Sequence, residues 1–243
     1  MRALLASVAI VATIQPALAQ DGWRGRVSVS AGLQPDSAAL AQQTSVLDYL
    51  EPTDIAADLP GRGVPFYDVS LAVRVAGNLG VAFGVSGLST TGDAGVTAAV
   101  PHPFFFDRPR SISGEAFGLR RVETGLHVGV AYLVAASDRA DIMVLGGATQ
   151  FRVRQDLVSD VTFSEAYPYD TATFSTAQVV RQNASRLGYH VGLDVTWKLA
   201  PRWGVGALVR FARAKVPFEV NGAETGTVDA GGLQAGGGVR VIF

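Results

Sequence analysis

The sequence contains no cysteine, so neither disulfide bonds nor thiolate metal sites can hold the chain together. Lysine and arginine total 20 against 21 acidic residues, a balance that gives no reason to expect nucleic acid as a partner. After residue 19, no apolar run reaches the roughly 18 residues that a transmembrane helix needs. The remaining structure that can span a lipid bilayer is a closed β-barrel.

The first nineteen residues have the pattern of a secretory signal peptide. Arg2 supplies a positive charge, an apolar segment covers residues 3–14, and Ala17-Leu18-Ala19 forms a small-residue cleavage site. The apolar segment is too short for a stable membrane span. We therefore expect cleavage after Ala19 and an exported mature chain, residues 20–243, that forms one domain.

Eight segments carry apolar residues at every second position, which indicates β-strands with one apolar face. These predicted strands cover residues 23–33, 66–76, 79–88, 121–134, 142–154, 187–199, 203–213 and 233–243. Long connections at 34–65, 89–120, 155–186 and 214–231 alternate with short turns. The pattern predicts an all-β fold, an eight-stranded antiparallel up-and-down transmembrane β-barrel with short periplasmic turns and long extracellular loops.

Aromatic residues lie near the ends of the predicted strands, on the apolar face. Those expected at the short-turn end are Trp23, Tyr132, Trp197, Trp203 and Phe243, and those at the long-loop end are Tyr67, Phe151, Tyr189 and Phe211. The separation within a strand corresponds to a rise of about 20 Å, close to the ~25 Å apolar band of such barrels. The alternative is an ordinary aromatic core in a soluble β-protein. Within the first long connection, Leu40, Leu47 and Leu50 fit one face of a short helix.

The last residues resemble the C-terminal β-signal of bacterial outer-membrane proteins. Gly238, Val241 and the terminal Phe243 match that pattern, whereas Gly236 stands where the family usually has a polar residue. Segment 78–86 also resembles strands of small eight-stranded barrels of the OmpA transmembrane-domain and OmpX type. The resemblance implies location in a Gram-negative outer membrane and recognition by the barrel-assembly machinery.

The polar faces of the predicted strands define an expected lumen network. Its members are Arg24, Arg26, Arg74, Glu123, His127, Arg152, His190, Asp194, Arg210 and Arg240. An eight-stranded barrel encloses a space just wide enough for side chains, and buried charges there must pair. A salt-bridged plug that holds the barrel rigid is the leading interpretation, and a narrow path for ions or small solutes is the alternative.

Histidines offer little support for catalysis or metal binding. His127 with Glu123, and His190 with Asp194, are four residues apart on one strand face, about 13 Å, so neither pair is a dyad by itself. No serine lies two residues from either histidine. We expect no catalytic residue, no metal and no cofactor, and a lipid-modifying barrel enzyme is the weakest of the functional hypotheses.

The most unusual connection contains three consecutive phenylalanines, Phe104, Phe105 and Phe106, followed by Arg108 and Arg110. One interpretation is a hydrophobic cap packed on the other loops, because free exposure of such a patch is unfavourable. The other is a docking surface for a partner or lipopolysaccharide, whose phosphates the arginines would suit.

Taken together, these patterns predict a monomeric outer-membrane barrel surrounded by membrane lipid and lipopolysaccharide. A structural or surface-interaction role through the extracellular loops is the leading function. A narrow channel or carrier for small or apolar solutes is the alternative.

Overall fold

The computed structural model describes residues 24–35, 40–220 and 223–243, which form strands joined by turns. The strands are β1 (Gly25–Gln34), β2 (Leu40–Asp48), β3 (Glu51–Leu59), β4 (Val64–Ala76), β5 (Leu79–Val100), β6 (Arg110–Ala136), β7 (Ala140–Glu165), β8 (Ala172–Ala200), β9 (Trp203–Val220) and β10 (Ala223–Ile242). Trp23 and the predicted signal peptide lie outside the described residues. Across these ranges, no helix has the length and apolar character needed to cross a membrane.

Eight of the described strands form a closed antiparallel ring. The ring order is β1, β4, β5, β6, β7, β8, β9 and β10, and β10 pairs back onto β1 with Val239 opposite Val29. Along the chain, the hairpin β2–β3 comes between β1 and β4, which pair directly with each other. In the sheet, β3 pairs with the far end of β5. The ring confirms the predicted eight-stranded antiparallel barrel.

An apolar band surrounds the outside of the ring. In β9, Trp203, Val209 and Phe211 are exposed on the outer face, whereas Leu208 and Arg210 point inward and are buried. The aromatic residues exposed on this band are Tyr67, Phe83, Tyr132, Tyr189, Trp197, Trp203, Phe211 and Phe243. Because apolar side chains face outward around a polar interior, this part of the wall is suited to lipid on its outside.

Strands on the long-hairpin side continue beyond their predicted ends. Along β9 the outer face becomes polar at Arg213, and the inner face becomes apolar at Ala212. The faces exchange character because the wall leaves lipid and enters water, where apolar side chains are stabilised by turning inward. The predicted loops at 89–120, 155–186 and 214–231 are therefore largely strand, and most of their apolar residues face inward rather than outward.

The long hairpins close the extracellular mouth with an apolar core. One cluster includes Phe151, Leu157 and Phe218, and a second joins residues of β3, β5, β6 and β7. Gln42 of β2 donates to the Val158 carbonyl and so anchors the inserted hairpin to β7. Two predictions were wrong here. Residues 40–48 form a strand rather than part of a helix, and Phe151 is 1% exposed inside the wall rather than in the outer girdle.

Candidate functional site: the lumen and the extracellular tip

The short-turn half of the lumen contains a charged cluster around one carboxylate. Arg240 and Arg26 both approach Asp194, with nitrogen–oxygen distances of 2.9 and 3.4 Å. Arg26 also donates to the Thr196 hydroxyl at 2.7 Å, and this hydroxyl donates to Asp194 at 3.1 Å. The cluster joins inward faces of β1, β8 and β10, and all its members are buried. Its charges therefore depend on one another for stabilisation.

A second chain of polar contacts continues toward the extracellular side. Asp68 pairs with Arg210 at 2.8 Å, and Arg210 donates to the Gln234 side chain at 2.7 Å. From Gln234 the chain passes through Gln34, the backbone of Gly231, Glu123 and Arg121. Strands from opposite sides of the ring are thereby connected through the lumen.

A row of hydroxyl and imidazole groups crosses the middle of the lumen. Ser86 contacts His127 Nε2 at 2.8 Å, His127 Nδ1 contacts Thr149 at 2.8 Å, and Thr149 contacts His190 Nδ1 at 2.9 Å. Sequence reasoning missed Ser86 because it lies on the neighbouring strand β5. A serine beside a histidine is one requirement of a nucleophilic site, but here the second ring nitrogen meets a hydroxyl where a triad has a carboxylate.

Little space remains between these groups. A cavity bordered by Arg26, Asp68, His127 and His190 has a water-accessible volume of ≈ 30 Å³. One water molecule needs roughly 10–15 Å³ by this measure, so the cavity has room for about two. Within the described ranges, no group of three His, Cys, Asp or Glu residues could hold a metal ion.

The structure separates the ten residues of the expected lumen network. Those buried inside the barrel are Arg26, Glu123, His127, His190, Asp194, Arg210 and Arg240. Arg24 is exposed at the short-turn end, and Arg74 is half-buried. The position predicted for Arg152 is wrong, because β7 directs Phe151 and Val153 inward and leaves Arg152 exposed on the outer face. Arg152 lies beyond the apolar band, where an outward arginine costs only about 0–1 kcal/mol.

At the opposite end, the turns of three hairpins meet and form the extracellular tip, which comprises residues 47–51, 101–109 and 166–171. The Tyr49 hydroxyl donates to Glu165 at 3.1 Å, and the Asp107 N–H donates to Glu51 at 2.8 Å. The ring of Phe104 meets that of Tyr169 edge-on, at a centroid distance of 5.3 Å. These contacts combine the three turns into one surface.

The extracellular tip exposes large apolar side chains to solvent. They are Leu47, Tyr49, Leu50, Phe104, Phe105, Phe106 and Tyr167. The three phenylalanines retain 68, 53 and 68% of their accessible surface, so they do not form the packed cap that was one of the two interpretations. A patch of this kind on a soluble surface is characteristic of an interaction site.

Backbone strain is concentrated in the same turns. In the described part of the chain, the non-glycine residues with positive φ are Tyr49, Leu50, Asp107 and Tyr169, at 47, 69, 57 and 72°. All of them lie in the extracellular tip. Such conformations cost about 1–3 kcal/mol each and persist only where the surrounding structure holds them. The exposed side chains of Tyr49 and Leu50 are thus presented in a defined arrangement.

The two arginines of this region have different environments. Arg110 is buried, pairs with Glu165 at 2.6 Å and donates to the Pro101 carbonyl at 2.6 Å. It is therefore not available to lipid phosphates, contrary to the docking interpretation. Arg108 stays exposed, with its guanidinium carbon 5.5 Å from the centre of the Phe105 ring. Acidic side chains in or beside the tip turns are Asp48, Glu51, Asp107 and Asp170. The tip is therefore apolar and acidic rather than basic.

The C-terminal strand closes the ring through its backbone. The Gly25 N–H donates to the Phe243 carbonyl at 2.8 Å, and the Phe243 N–H donates to the Gly25 carbonyl at 3.0 Å. Phe243 is exposed at the short-turn end of the outer band, and Val241 is half-buried on the same face. A Cβ on Gly238 would overlap the Val29 carbonyl, so only glycine allows β10 to approach β1 this closely.

No family model and no curated protein matches this chain. Solved structures match it in architecture. Neisserial surface protein A has 13% identity and a TM-score of 0.45 over 90% of this chain and 97% of its own. OprG from Pseudomonas aeruginosa has 11% identity and a TM-score of 0.46 over 91% and 97%. The outer membrane protease OmpT from Escherichia coli has 6% identity and a TM-score of 0.49 over 90% and 97%. The closed ring of eight antiparallel strands in this chain itself agrees with the expected resemblance to small outer-membrane β-barrels.

Proposed function

We propose that this outer-membrane barrel has a non-conducting lumen and acts at the cell surface through its extracellular tip. The observation that carries the proposal is the exposure of Phe104, Phe105 and Phe106 beside the strained turn of Tyr49 and Leu50. Aromatic side chains provide rigid contact area and dominate the binding energy of protein interfaces. The partner class that fits this surface is a protein with a complementary apolar pocket.

The contents of the lumen support a structural interior. The contacts of Asp194 with Arg26 and Arg240, and of Asp68 with Arg210, occupy its cross-section, and the apolar core of the hairpins lies above them. An ion would have to disrupt buried, mutually compensated charges, at a cost of several kcal/mol. This favours a closed barrel over the channel or carrier alternative.

The proposal extends to export and assembly of the protein. Residues 1–19 direct export and are cleaved after Ala19, and the barrel-assembly machinery recognises Gly238, Val241 and Phe243 on β10. The mature protein is a monomer whose apolar band contacts outer-membrane lipid and lipopolysaccharide.

We also propose that the protein is not an enzyme. The support is the row Ser86–His127–Thr149, which is buried and has no carboxylate on the far side of the imidazole. Mass analysis of lipid A from cells with and without the protein tests this, since a changed lipid A profile would contradict it.

Planar-bilayer conductance of the purified protein tests the closed lumen. We expect no single-channel steps, whereas clear steps would overturn the proposal.

For the tip, proteoliposomes that display the wild-type protein are compared with a Phe104→Ser/Phe105→Ser/Phe106→Ser variant for binding to an array of purified extracellular proteins. Binding by the wild type that the variant loses is expected, and equal binding by both would remove the tip from the function.

A further inference from the structure

A cluster of arginines lies on the outer wall of the barrel, above the apolar band. Arg152 and Arg154 project outward from β7, where they are exposed. Arg120 on β6 and Arg181 on β8 flank them on the same face, and Arg154 lies opposite Asn183 of β8 in the strand pairing. The hairpin register therefore assembles this cluster from three neighbouring strands.

The cluster has a large positive excess. Asp156 accepts two bonds from Arg181, at 2.7 and 3.1 Å, and one from the Arg120 N–H at 3.1 Å. The Arg181 hydrogen bond holds the pKa of Asp156 below its usual range, so this carboxylate is charged at neutral pH. Among the described residues, Arg152 and Arg154 make no ion pair, and their charges remain uncompensated.

The height of the cluster corresponds to the lipid headgroups. On β7 the outer face is apolar up to Ala148 and becomes polar at Gln150. At ~3.3 Å per residue and a tilt of about 40°, Arg152 lies ~5 Å and Arg154 ~10 Å above Gln150. The headgroup layer extends roughly 5–7 Å beyond the hydrocarbon, and long arginine side chains can bend to reach it.

An open groove connects the arginines to the apolar band. Its upper part has a volume of ≈ 580 Å³ and is lined by Arg120, Val122, Arg152, Arg154, Arg181 and Asn183. An adjoining part of ≈ 340 Å³ shares Val122, Arg152 and Arg154 and extends down to Leu126. Leu126 is exposed on the lipid-facing band. The groove thus runs from a set of guanidiniums, past Thr124 and Gln150, to the edge of the apolar band at Leu126.

We infer that this groove binds a phosphorylated glycolipid of the outer leaflet, with a phosphate between Arg152 and Arg154 and an acyl chain beside Leu126. Guanidinium groups bind phosphate through charge-assisted, often bidentate hydrogen bonds, and they are less strongly hydrated than ammonium groups. The site is separate from the extracellular tip and does not depend on a closed lumen, but it rests on the proposed contact of the barrel with outer-membrane lipopolysaccharide. Arg152 and Arg154 thus take the role of phosphate contacts that the sequence suggested for Arg110, because Arg110 is paired with Glu165.

Native mass spectrometry of the full chain in detergent, titrated with purified lipid A, tests the inference. An Arg152→Ala/Arg154→Ala variant should lose affinity by on the order of tenfold for each phosphate contact removed. Arg139→Ala/Arg202→Ala removes the same charge from the exposed short turns and should keep wild-type affinity. Asp156→Asn removes the competing carboxylate and should tighten binding.

The inference is overturned if the Arg152/Arg154 variant binds like the wild type, or if the short-turn control loses affinity equally. Equal affinity for dephosphorylated lipid A would show that acyl chains alone are bound. Displacement of lipid A by equimolar inorganic phosphate would identify a site for free anions instead. Heat-modifiable gel mobility verifies that each variant is folded, and bilayer conductance of the same variants keeps failure of this site distinct from failure of the closed lumen.

Discussion

Replacement of Asp194 by asparagine is the sharpest perturbation of the barrel interior. The side chain keeps its shape but loses the charge that Arg26 and Arg240 share, at 3.4 and 2.9 Å. Both guanidiniums would remain buried, since Arg240 is fully enclosed and Arg26 is only 4% exposed. The variant therefore leaves two buried like charges close together without the carboxylate that they share.

The expected loss of stability is large. Removal of one partner from a buried ion pair costs about 3–5 kcal/mol, a large fraction of a typical domain stability of ~5–15 kcal/mol. The matched control is Asp229→Asn, because Asp229 pairs with Arg213 at 2.8 Å while both side chains are more than 40% exposed, at 42 and 47%. An exposed pair contributes only about 0–1 kcal/mol.

Urea unfolding of the refolded barrel in detergent micelles, followed by tryptophan fluorescence, measures both variants. We expect Asp194→Asn to lower the free energy of unfolding by at least ~2 kcal/mol more than Asp229→Asn does. Adding Arg26→Met and Arg240→Met to the Asp194 variant should restore part of the loss, because no uncompensated charge then remains. Equal effects of the two asparagine variants would refute the assignment of a buried, interdependent cluster.

Three further predictions concern ring closure, assembly and pH. Gly238→Val should block formation of the heat-modifiable barrel because its side chain meets the Val29 backbone, whereas Gly95→Val, with nothing within 4 Å, should fold normally. Deleting Phe243 should reduce the amount of barrel assembled in cells, and a wild-type amount would contradict its role as an assembly signal. Since the Arg181 bond keeps the pKa of Asp156 low, its stabilisation is complete above the usual aspartate pKa of about 4 and is lost as pH falls through the folded-state value. Asp156→Asn should remove this acid sensitivity, and urea unfolding at pH 6 and pH 3 measures it. An unchanged sensitivity in the variant would be evidence against a stabilising role of the Asp156 carboxylate.

The membrane-spanning part of the fold was predictable from local pattern. A strand in lipid must place apolar residues outward at every second position, so its face is encoded within a few consecutive residues. Trp203–Phe211 of β9 and 233–242 of β10 are examples, and the ring confirms both. The pattern predicted the wrong outward face for β7, because the face that carries Met143 and Phe151 points inward, with each of these side chains 1% exposed. Both faces of β7 are apolar within the lipid, and beyond the lipid the alternation carries no information about which solvent surrounds the strand.

Arg152 illustrates that failure. The alternation of Phe151, Arg152 and Val153 is equally regular whether arginine faces the lumen or the outside. The apolar core above the lumen decides the matter, since Phe151 and Val153 pack against residues of β9 and β10. This reversal is what places Arg152 and Arg154 on the outer wall.

The sequence by itself determined the number and order of the membrane strands, and the outward face of each except β7, because these depend on the interaction of each strand with lipid. Only the tertiary structure decided which polar groups meet inside. Ser86 lies 41 residues from His127, and Arg26 lies 170 residues from its contact Thr196. Such pairs depend on the register of neighbouring strands and on closure of β10 onto β1, and both are properties of the whole ring rather than of any one segment.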